Sequence, residues 1–244
     1  MSTQYLDEEN EENALSIVDA TEPPPQPWYT IALLIGIGCA FAAQLMAGLD
    51  EPRAGAAAFD KPVFLAGSYW LILTGATVHA SFLHVFMNSY AFYSFGRIAE
   101  QLSNRAHLAI TFLLSCIGGG ILSLVVNPSG TSVGASGGIV GVIGYLAVYA
   151  FRRRQFISPE FRKSLLINIG FIAIFGLVLF QTIDNFGHLG GFVAGGLYGL
   201  IQIPSDPNVN PSEASQLTET LGLIALGVYL AACAFGILLT LGVI

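Results

Sequence analysis

Long apolar stretches alternate with short polar connections along most of this 244-residue chain. A helix needs about 20 apolar residues to cross a bilayer, and shorter spans suffice where the bilayer is thin. Stretches that meet this requirement predict seven transmembrane helices. They lie near residues 28–49, 82–101, 106–126, 134–151, 164–183, 186–203 and 217–243.

These stretches are continuously apolar rather than alternating in polarity, which favours helices over the strands of a membrane barrel. The composition agrees, since 54% of the residues are hydrophobic and only 10% are charged. The sequence therefore predicts an all-α polytopic membrane protein. Six helices form a core over residues 28–203, a linker spans 204–216, and a seventh helix lies within 217–244.

The first 27 residues differ from the rest of the chain. They contain the acidic run LDEENEEN and the proline-rich run TEPPPQP, with no apolar period, which predicts a disordered tail at 1–27. A signal peptide would begin with positive charge, and this segment has none. The net charge of −7 comes largely from this tail and argues against nucleic-acid partners.

The basic residues predict the orientation in the membrane. Seven of the nine lie in or beside the connections after the second and fourth spans, and two lie in loop 50–81. Short basic connections stay on the cytoplasmic side, so the tail and the linker 204–216 are expected there. Loop 50–81 then faces the opposite side, and its aromatic residues predict partial insertion into the outer leaflet. No organelle presequence is visible, which favours a bacterial inner membrane.

Two spans carry polar residues that are costly in hydrocarbon. His84 and Asn88 are four residues apart and therefore share one helix face, while His79 precedes that helix. Intramembrane polar residues are functional candidates by default. Taken singly, His84 and Asn88 are also explained as contacts between helices.

Glycines predict close contact between the fourth and sixth spans. One face of the sixth span carries glycine at every fourth position from Gly187, and VGASGGIVG at 133–141 offers a matching face. Ser136 and His188 both lie at the starts of these spans, at one expected depth. A glycine contact alone has no chemistry, but here it would bring the hydroxyl within hydrogen-bond reach of the imidazole.

Such a pair suits acyl transfer. Serine becomes a good nucleophile when a base removes its proton, and the pKa of histidine near 6.5 suits that role. The oxyanion that forms needs donors already in place, and His84, Asn88 and the Ser136 N–H are candidates. Glycines beside Ser136 leave room for a substrate backbone.

With these motifs the sequence resembles the rhomboid family of intramembrane serine proteases. The resemblance covers about residues 67–203. It rests on three motifs in this order, each in or beside its own span: His79-x4-His84-x3-Asn88, GASG at 134–137, and DNFGHLGG at 184–191.

The resemblance implies a Ser-His dyad without a third acid, although Asp184 lies one turn from His188. Ser136 is the implied nucleophile and His188 the implied general base and then acid. His84 and Asn88, with the Ser136 backbone N–H, are the implied oxyanion hole. His79, Gly134 and Gly137 are implied accessory residues. Gly96 and Glu100 match the family's Gly-x3-Glu.

The chain departs from the family pattern at two positions. Leu71 stands where many relatives have arginine, so a structural ion pair is expected to be missing. Val140 stands where relatives often have an aromatic residue that stacks on the catalytic histidine, so the imidazole is expected to be held less firmly. Neither residue makes or breaks a bond, so these departures bear on efficiency more than on activity.

The implied substrates are transmembrane helices of other proteins, cleaved within the lipid bilayer near its outer face. No cofactor is expected. The three cysteines are isolated, with no metal or disulfide spacing. Two other functions remain open: a non-catalytic binder of membrane helices, and a small-solute transporter, which lacks visible repeats and an intramembrane acid. The sequence leaves the oligomeric state open.

Overall fold

A computed structural model describes residues 26–244, so residues 1–25 of the predicted tail lie outside the described part. The described chain is mainly helical. Its helices are α1 (Trp28–Ala47), α2 (Lys61–Leu65), α3 (Leu71–Thr74), α4 (Phe82–Leu102), α5 (Arg105–Val126), α6 (Ser136–Arg152), α7 (Pro159–Val178), α8 (Asn185–Gln202) and α9 (Gln216–Thr240). A 3-10 turn covers Pro52–Gly55, and the strands β1 (Phe59–Asp60) and β2 (Thr131–Ser132) pair antiparallel. The all-α polytopic prediction is confirmed.

Seven long helices match the seven predicted spans, with one clear difference in position. The fifth span was predicted at 164–183, but α7 covers Pro159–Val178. The Ser158 hydroxyl accepts a hydrogen bond from the Phe161 N–H at 3.1 Å, and Pro159 follows this cap. Proline fits the first helical position because its missing N–H would be unpaired there, so this cap places the helix start earlier than the apolar residues indicate.

Hydropathy separates the helices into two groups. By length and composition, four described helices can cross a membrane: α1, α5, α7 and α9. The remaining long helices, α4, α6 and α8, contain the polar residues and glycines of the predicted site. These three helices are shorter or less apolar than the first group, because polar side chains and glycines replace part of their apolar residues.

Glycine contacts bring α5, α6 and α8 together at the centre of the bundle. A Cβ atom on Gly191 of α8 would overlap the Gly137 carbonyl oxygen of α6, and one on Gly195 would overlap the Gly141 carbonyl oxygen. This confirms the predicted contact between the two spans. The sequence predicts that Gly138 also faces α8, but it faces α5 instead, since a Cβ there would lie 2.6 Å from the Cys116 sulfur.

The start of α1 is held by α4. Glu100 accepts hydrogen bonds from the backbone N–H of Tyr29 at 3.1 Å and of Thr30 at 3.0 Å. The residue before α1 is Pro27, whose side chain cannot cap a helix. Gly96 lets α1 approach, since a Cβ there would lie 3.1 Å from the Thr30 side chain. The Gly-x3-Glu motif thus fastens two helices together.

A polar network, here called the distal network, lies where α5 begins and α6 and α8 end. His107 Nδ1 is 2.8 Å from the Tyr198 hydroxyl, and His107 Nε2 is 2.5 Å from Gln202 Nε2. Tyr145 donates to Gln202 Oε1 at 2.8 Å, and its hydroxyl also lies 2.5 Å from Ser103 Oγ. His107, Tyr145 and Ser103 are buried, Tyr198 and Gln202 are half-buried, and all five have partners, as is usual for polar groups in a protein core.

Candidate active site

Ser136 and His188 meet at one cavity near the starts of two helices. Ser136 is the first residue of α6, and His188 lies in the first turn of α8. Both line a cavity of about 50 Å³, together with Gly134, Gly137 and Asp184. The cavity exists because the glycine contacts hold α6 and α8 close without side chains between them.

The serine and histidine are close but not bonded to each other. Within residues 26–244, no hydrogen bond joins the Ser136 hydroxyl to the His188 imidazole. Hydrogen bonds between catalytic groups are often long in a substrate-free enzyme and tighten when the substrate binds. The bond between these two residues therefore stays a prediction.

The N-terminus of α6 lacks the side-chain cap that the other long helices have. The described residues give each of these a side chain that accepts from an N–H of its first turn, supplied by Glu100, Ser81, Asn104, Ser158, Asp184 and Ser215. The residue before α6 is Ala135, which offers no acceptor. Within residues 26–244 the N–H groups of Ser136 and Gly137 have no hydrogen-bond acceptor, so they can donate to a negatively charged oxygen.

Glycine at position 134 shapes the approach to this helix. Gly134 has φ of +110°, a conformation that other residues adopt only with strain. A Cβ atom on it would lie 2.8 Å from His84 Nε2, so only glycine fits beside this ring. The Gly134 N–H donates to the Gly75 carbonyl at 2.9 Å, which ties this segment to the chain before α4.

Asn88 and His84 adjoin the site without lining the cavity itself. Asn88 is buried, and its Nδ2 donates to the His84 carbonyl within their own helix at 3.0 Å. The His84 ring packs against the ring of His79, with 5.0 Å between centroids. The oxyanion role of both residues stays a prediction. It rests on the position of His84 beside Gly134 and on that of Asn88 one turn further along the same helix.

His79 has an unusual environment. The residue is 1% exposed, and in the described chain neither ring nitrogen has a hydrogen-bond partner. Burial and the nearby His84 lower the pKa of His79 to about 3, so its ring is neutral at physiological pH. His79 lies in the segment before α4, as the sequence predicts, and not on the face of His84 and Asn88.

The backbone of His79 is held by a residue that the sequence analysis missed. Gln44 of α1 accepts from the His79 N–H at 2.8 Å and donates to the His79 carbonyl at 3.1 Å. Its amide also donates to the Ala54 carbonyl at 3.0 Å. A lone amide in the first apolar span was the available signal.

Asp184 fastens three segments around the cavity. Its carboxylate caps α8 by accepting from the Gly187 N–H at 2.8 Å, and it accepts from Ser132 Oγ at 2.5 Å and from the Ser123 hydroxyl. Burial alone would raise the pKa of this carboxyl, but these hydrogen bonds and the nearby Lys61 ammonium hold it below its ordinary value. The sequence analysis missed the roles of Ser123 and Ser132, because their contacts with Asp184 join residues far apart in the chain and produce no sequence pattern.

The two departures from the family pattern have different surroundings. Leu71 is buried, and its neighbour Trp70 packs edge-on against Phe235 of α9, with 5.7 Å between centroids. Val140 and His188 both line an apolar cavity of about 470 Å³ between α7 and the α6–α8 pair. The small side chain of Val140 leaves this space open beside the imidazole.

The part of the chain that is similar to known proteins contains the candidate site. The family model described as the Rhomboid domain matches residues 66–205, which contain every predicted site residue. The chain is 32% identical over 136 residues to Rhomboid-like protease 3 of Toxoplasma gondii, covering 55% of this chain and 52% of that protein. It is 31% identical over 140 residues to Rhomboid protease GluP of Bacillus subtilis (strain 168), covering 56% of this chain and 26% of that protein.

Another similar protein carries a different name. Inactive rhomboid protein 1 of Rattus norvegicus is 33% identical over 128 residues, covering 52% of this chain and 14% of that protein. The matches to these three relatives span between 14% and 52% of their lengths. Similarity of this degree therefore includes both proteases and an inactive protein, and the distinction depends on the residues of the site.

Proposed function

The chain belongs to the rhomboid family, and we propose that it is a serine endopeptidase that cleaves transmembrane segments of other proteins inside the bilayer. Ser136 is the nucleophile, and His188 is the general base and then the general acid. The proposal rests on the place of these two residues at one cavity, at the starts of two helices in glycine contact.

The reaction follows from these positions. His188 takes the Ser136 proton as the serine oxygen attacks the carbonyl carbon of the substrate. The tetrahedral intermediate breaks down when His188 gives that proton to the departing amide nitrogen, which leaves an ester on Ser136. Water then attacks this ester with the same histidine as base, so the acid product leaves and the serine is regenerated.

The uncapped N-terminus of α6 supports the proposal further. A tetrahedral intermediate places negative charge on the former carbonyl oxygen, and donors already in place stabilise that charge. The Ser136 N–H is such a donor, and the positive end of the helix dipole adds to it. In the other long helices, N–H groups of the first turn donate to side-chain caps, whereas the N–H groups of Ser136 and Gly137 stay available.

The bundle also supports the predicted orientation. Arg152 and Arg153 donate to backbone carbonyls of residues 200–207, so these cations lie where α8 ends and the linker begins. We place this end in the cytoplasm of a bacterial cell and the cavity near the outer face. Cysteines introduced at Arg153 and Asp60 should label from opposite sides of the membrane, and labelling from one side would contradict this orientation.

A fluorophosphonate probe tests the proposal. Purified protein in detergent should react covalently at Ser136, and Ser136→Ala should not react. Reconstituted protein should cleave a helical membrane substrate, whereas Ser136→Ala should not while keeping its melting temperature. Cleavage by Ser136→Ala at the wild-type rate would contradict the assignment.

The same experiment separates the protease from a non-catalytic binder of membrane helices. That second function is favoured by the similarity to an inactive rhomboid protein and by the absence of a Ser136–His188 hydrogen bond within residues 26–244. A binder would retain the substrate helix but would show neither labelling nor cleavage.

A further inference from the structure

The seventh helix, α9, lies outside the residues that match the Rhomboid domain, which end at 205. It nevertheless packs against the segment 74–77 that borders the candidate site. A Cβ atom on Gly236 would lie 3.0 Å from the Thr77 hydroxyl. The backbone of α9 at Gly236 therefore lies directly against the Thr77 side chain.

One side chain of α9 makes a direct polar contact there. Tyr229 is fully buried, and its hydroxyl donates to the Ala76 carbonyl at 2.9 Å. Its ring packs edge-on against Phe112 of α5, with 4.9 Å between centroids. The ring thus has its own packing, and the hydroxyl serves only the carbonyl.

The contacted segment leads to the serine. Gly75 and Ala76 line the cavity that also contains Ser136 and His188. The neighbouring Gly75 carbonyl accepts the Gly134 N–H at 2.9 Å, and Gly134 is two residues before Ser136. The segment Gly134–Ser136 is here called the serine loop. The carbonyl of Ala76 is therefore held by α9, and the adjacent carbonyl of Gly75 is held by the serine loop.

We propose that Tyr229 is a positioning residue: through Ala76 and Gly75 it fixes Gly134 and the unpaired N–H of Ser136 in place for the reaction. This rests on the proposed function of Ser136. Without the hydroxyl, the buried Ala76 carbonyl would lose its partner, which costs free energy that a shift of the segment would reduce. Gly75 would move with it, and the serine loop would lose its anchor.

Tyr229→Phe is the test because it removes the hydroxyl and keeps the ring. Tyr149→Phe is the matched control, since the Tyr149 hydroxyl also donates to a backbone carbonyl, that of Leu102 at 2.8 Å, in a buried position that does not border the cavity. Small displacements of reacting groups cost large factors in rate. We expect Tyr229→Phe to lower kcat about tenfold with KM unchanged, whereas Tyr149→Phe keeps both at a similar melting temperature.

Hydrogen exchange gives a second measurement that needs no activity. The Gly134 amide should exchange faster in Tyr229→Phe than in wild type, and not in Tyr149→Phe. Unchanged kcat and unchanged Gly134 exchange in Tyr229→Phe would overturn the inference. If wild-type protein neither cleaves nor reacts with a fluorophosphonate, the proposed function fails, and the exchange measurement still decides whether Tyr229 anchors the loop.

Discussion

Helices α5, α6 and α8 carry two buried polar regions, one toward each end. In the distal network, both ring nitrogens of His107 have partners, and so do the polar side-chain atoms around it. At the candidate site, His79 has no ring partner within the described residues, and the first N–H groups of α6 have no cap. One polar region of the bundle is therefore fully paired, whereas the region around His79 and the start of α6 keeps unpaired groups.

This difference in hydrogen bonding indicates a division of work: the distal network stabilises the bundle, and the site keeps donors free. A buried polar group without a partner costs free energy, so proteins pair such groups unless another need prevents it. The distal network is paired and holds helix ends together. At the site, pairing the α6 N–H groups with a side chain would remove the donors that an oxyanion needs. Of these two regions, the one beside the serine therefore keeps hydrogen-bonding groups available.

Replacing His188 should show the largest effect. We expect His188→Ala to lose at least a thousandfold in turnover, because Ser136 then has no base. The double variant Ser136→Ala/His188→Ala should lose no more than either single variant, since the two residues act as a unit. Cleavage rates of the reconstituted variants measure this. Additive losses would contradict the dyad.

Replacing Asn88 should show an intermediate effect. A donor to the oxyanion acts mainly on charge that exists only in the transition state, so Asn88→Ala should lower turnover more than substrate binding. We expect a loss of about tenfold to a hundredfold, because other donors remain. Turnover, KM and melting temperature should be measured on one preparation.

The result for Asn88 also tests the other explanation. If its amide only joins helices, removing it should cost about 1 kcal/mol of stability and leave turnover per folded molecule unchanged. That outcome would remove Asn88 from the site. The observed bond from Asn88 to the His84 carbonyl is the contact on which this explanation depends.

Replacing Tyr145 should leave activity unchanged and lower only stability. Tyr145→Phe keeps the ring but leaves Gln202 and Ser103 without a shared partner, which costs about 1–3 kcal/mol. Turnover per folded molecule should equal that of wild type. Reduced turnover at full folding would show that the two ends are coupled, and the division of work described above would be wrong.

The helices could be predicted from the sequence because apolar length is a local property. The exception, α7, begins at Pro159 because the Ser158 cap decides its start. That Ser136 and His188 lie at one cavity could be predicted because glycine spacing indicates which helices touch. The roles of Gln44 and Tyr229 and the pairing of β1 with β2 could not be predicted. Each depends on a contact between residues far apart in the chain, and such a contact produces no periodic pattern in the sequence.

The contact between Gly137 and Gly191 also bears on when the site forms. Synthesis reaches Ser136 well before His188, and α7 must follow α6 before α8 can dock. A nascent chain that has inserted only as far as α7 therefore carries the proposed nucleophile without its base. If Ser136 and His188 act as the proposed dyad, newly inserted protein is inert toward its membrane neighbours until α8 docks on the glycine face of α6, and the order of synthesis then delays activity until the core is assembled.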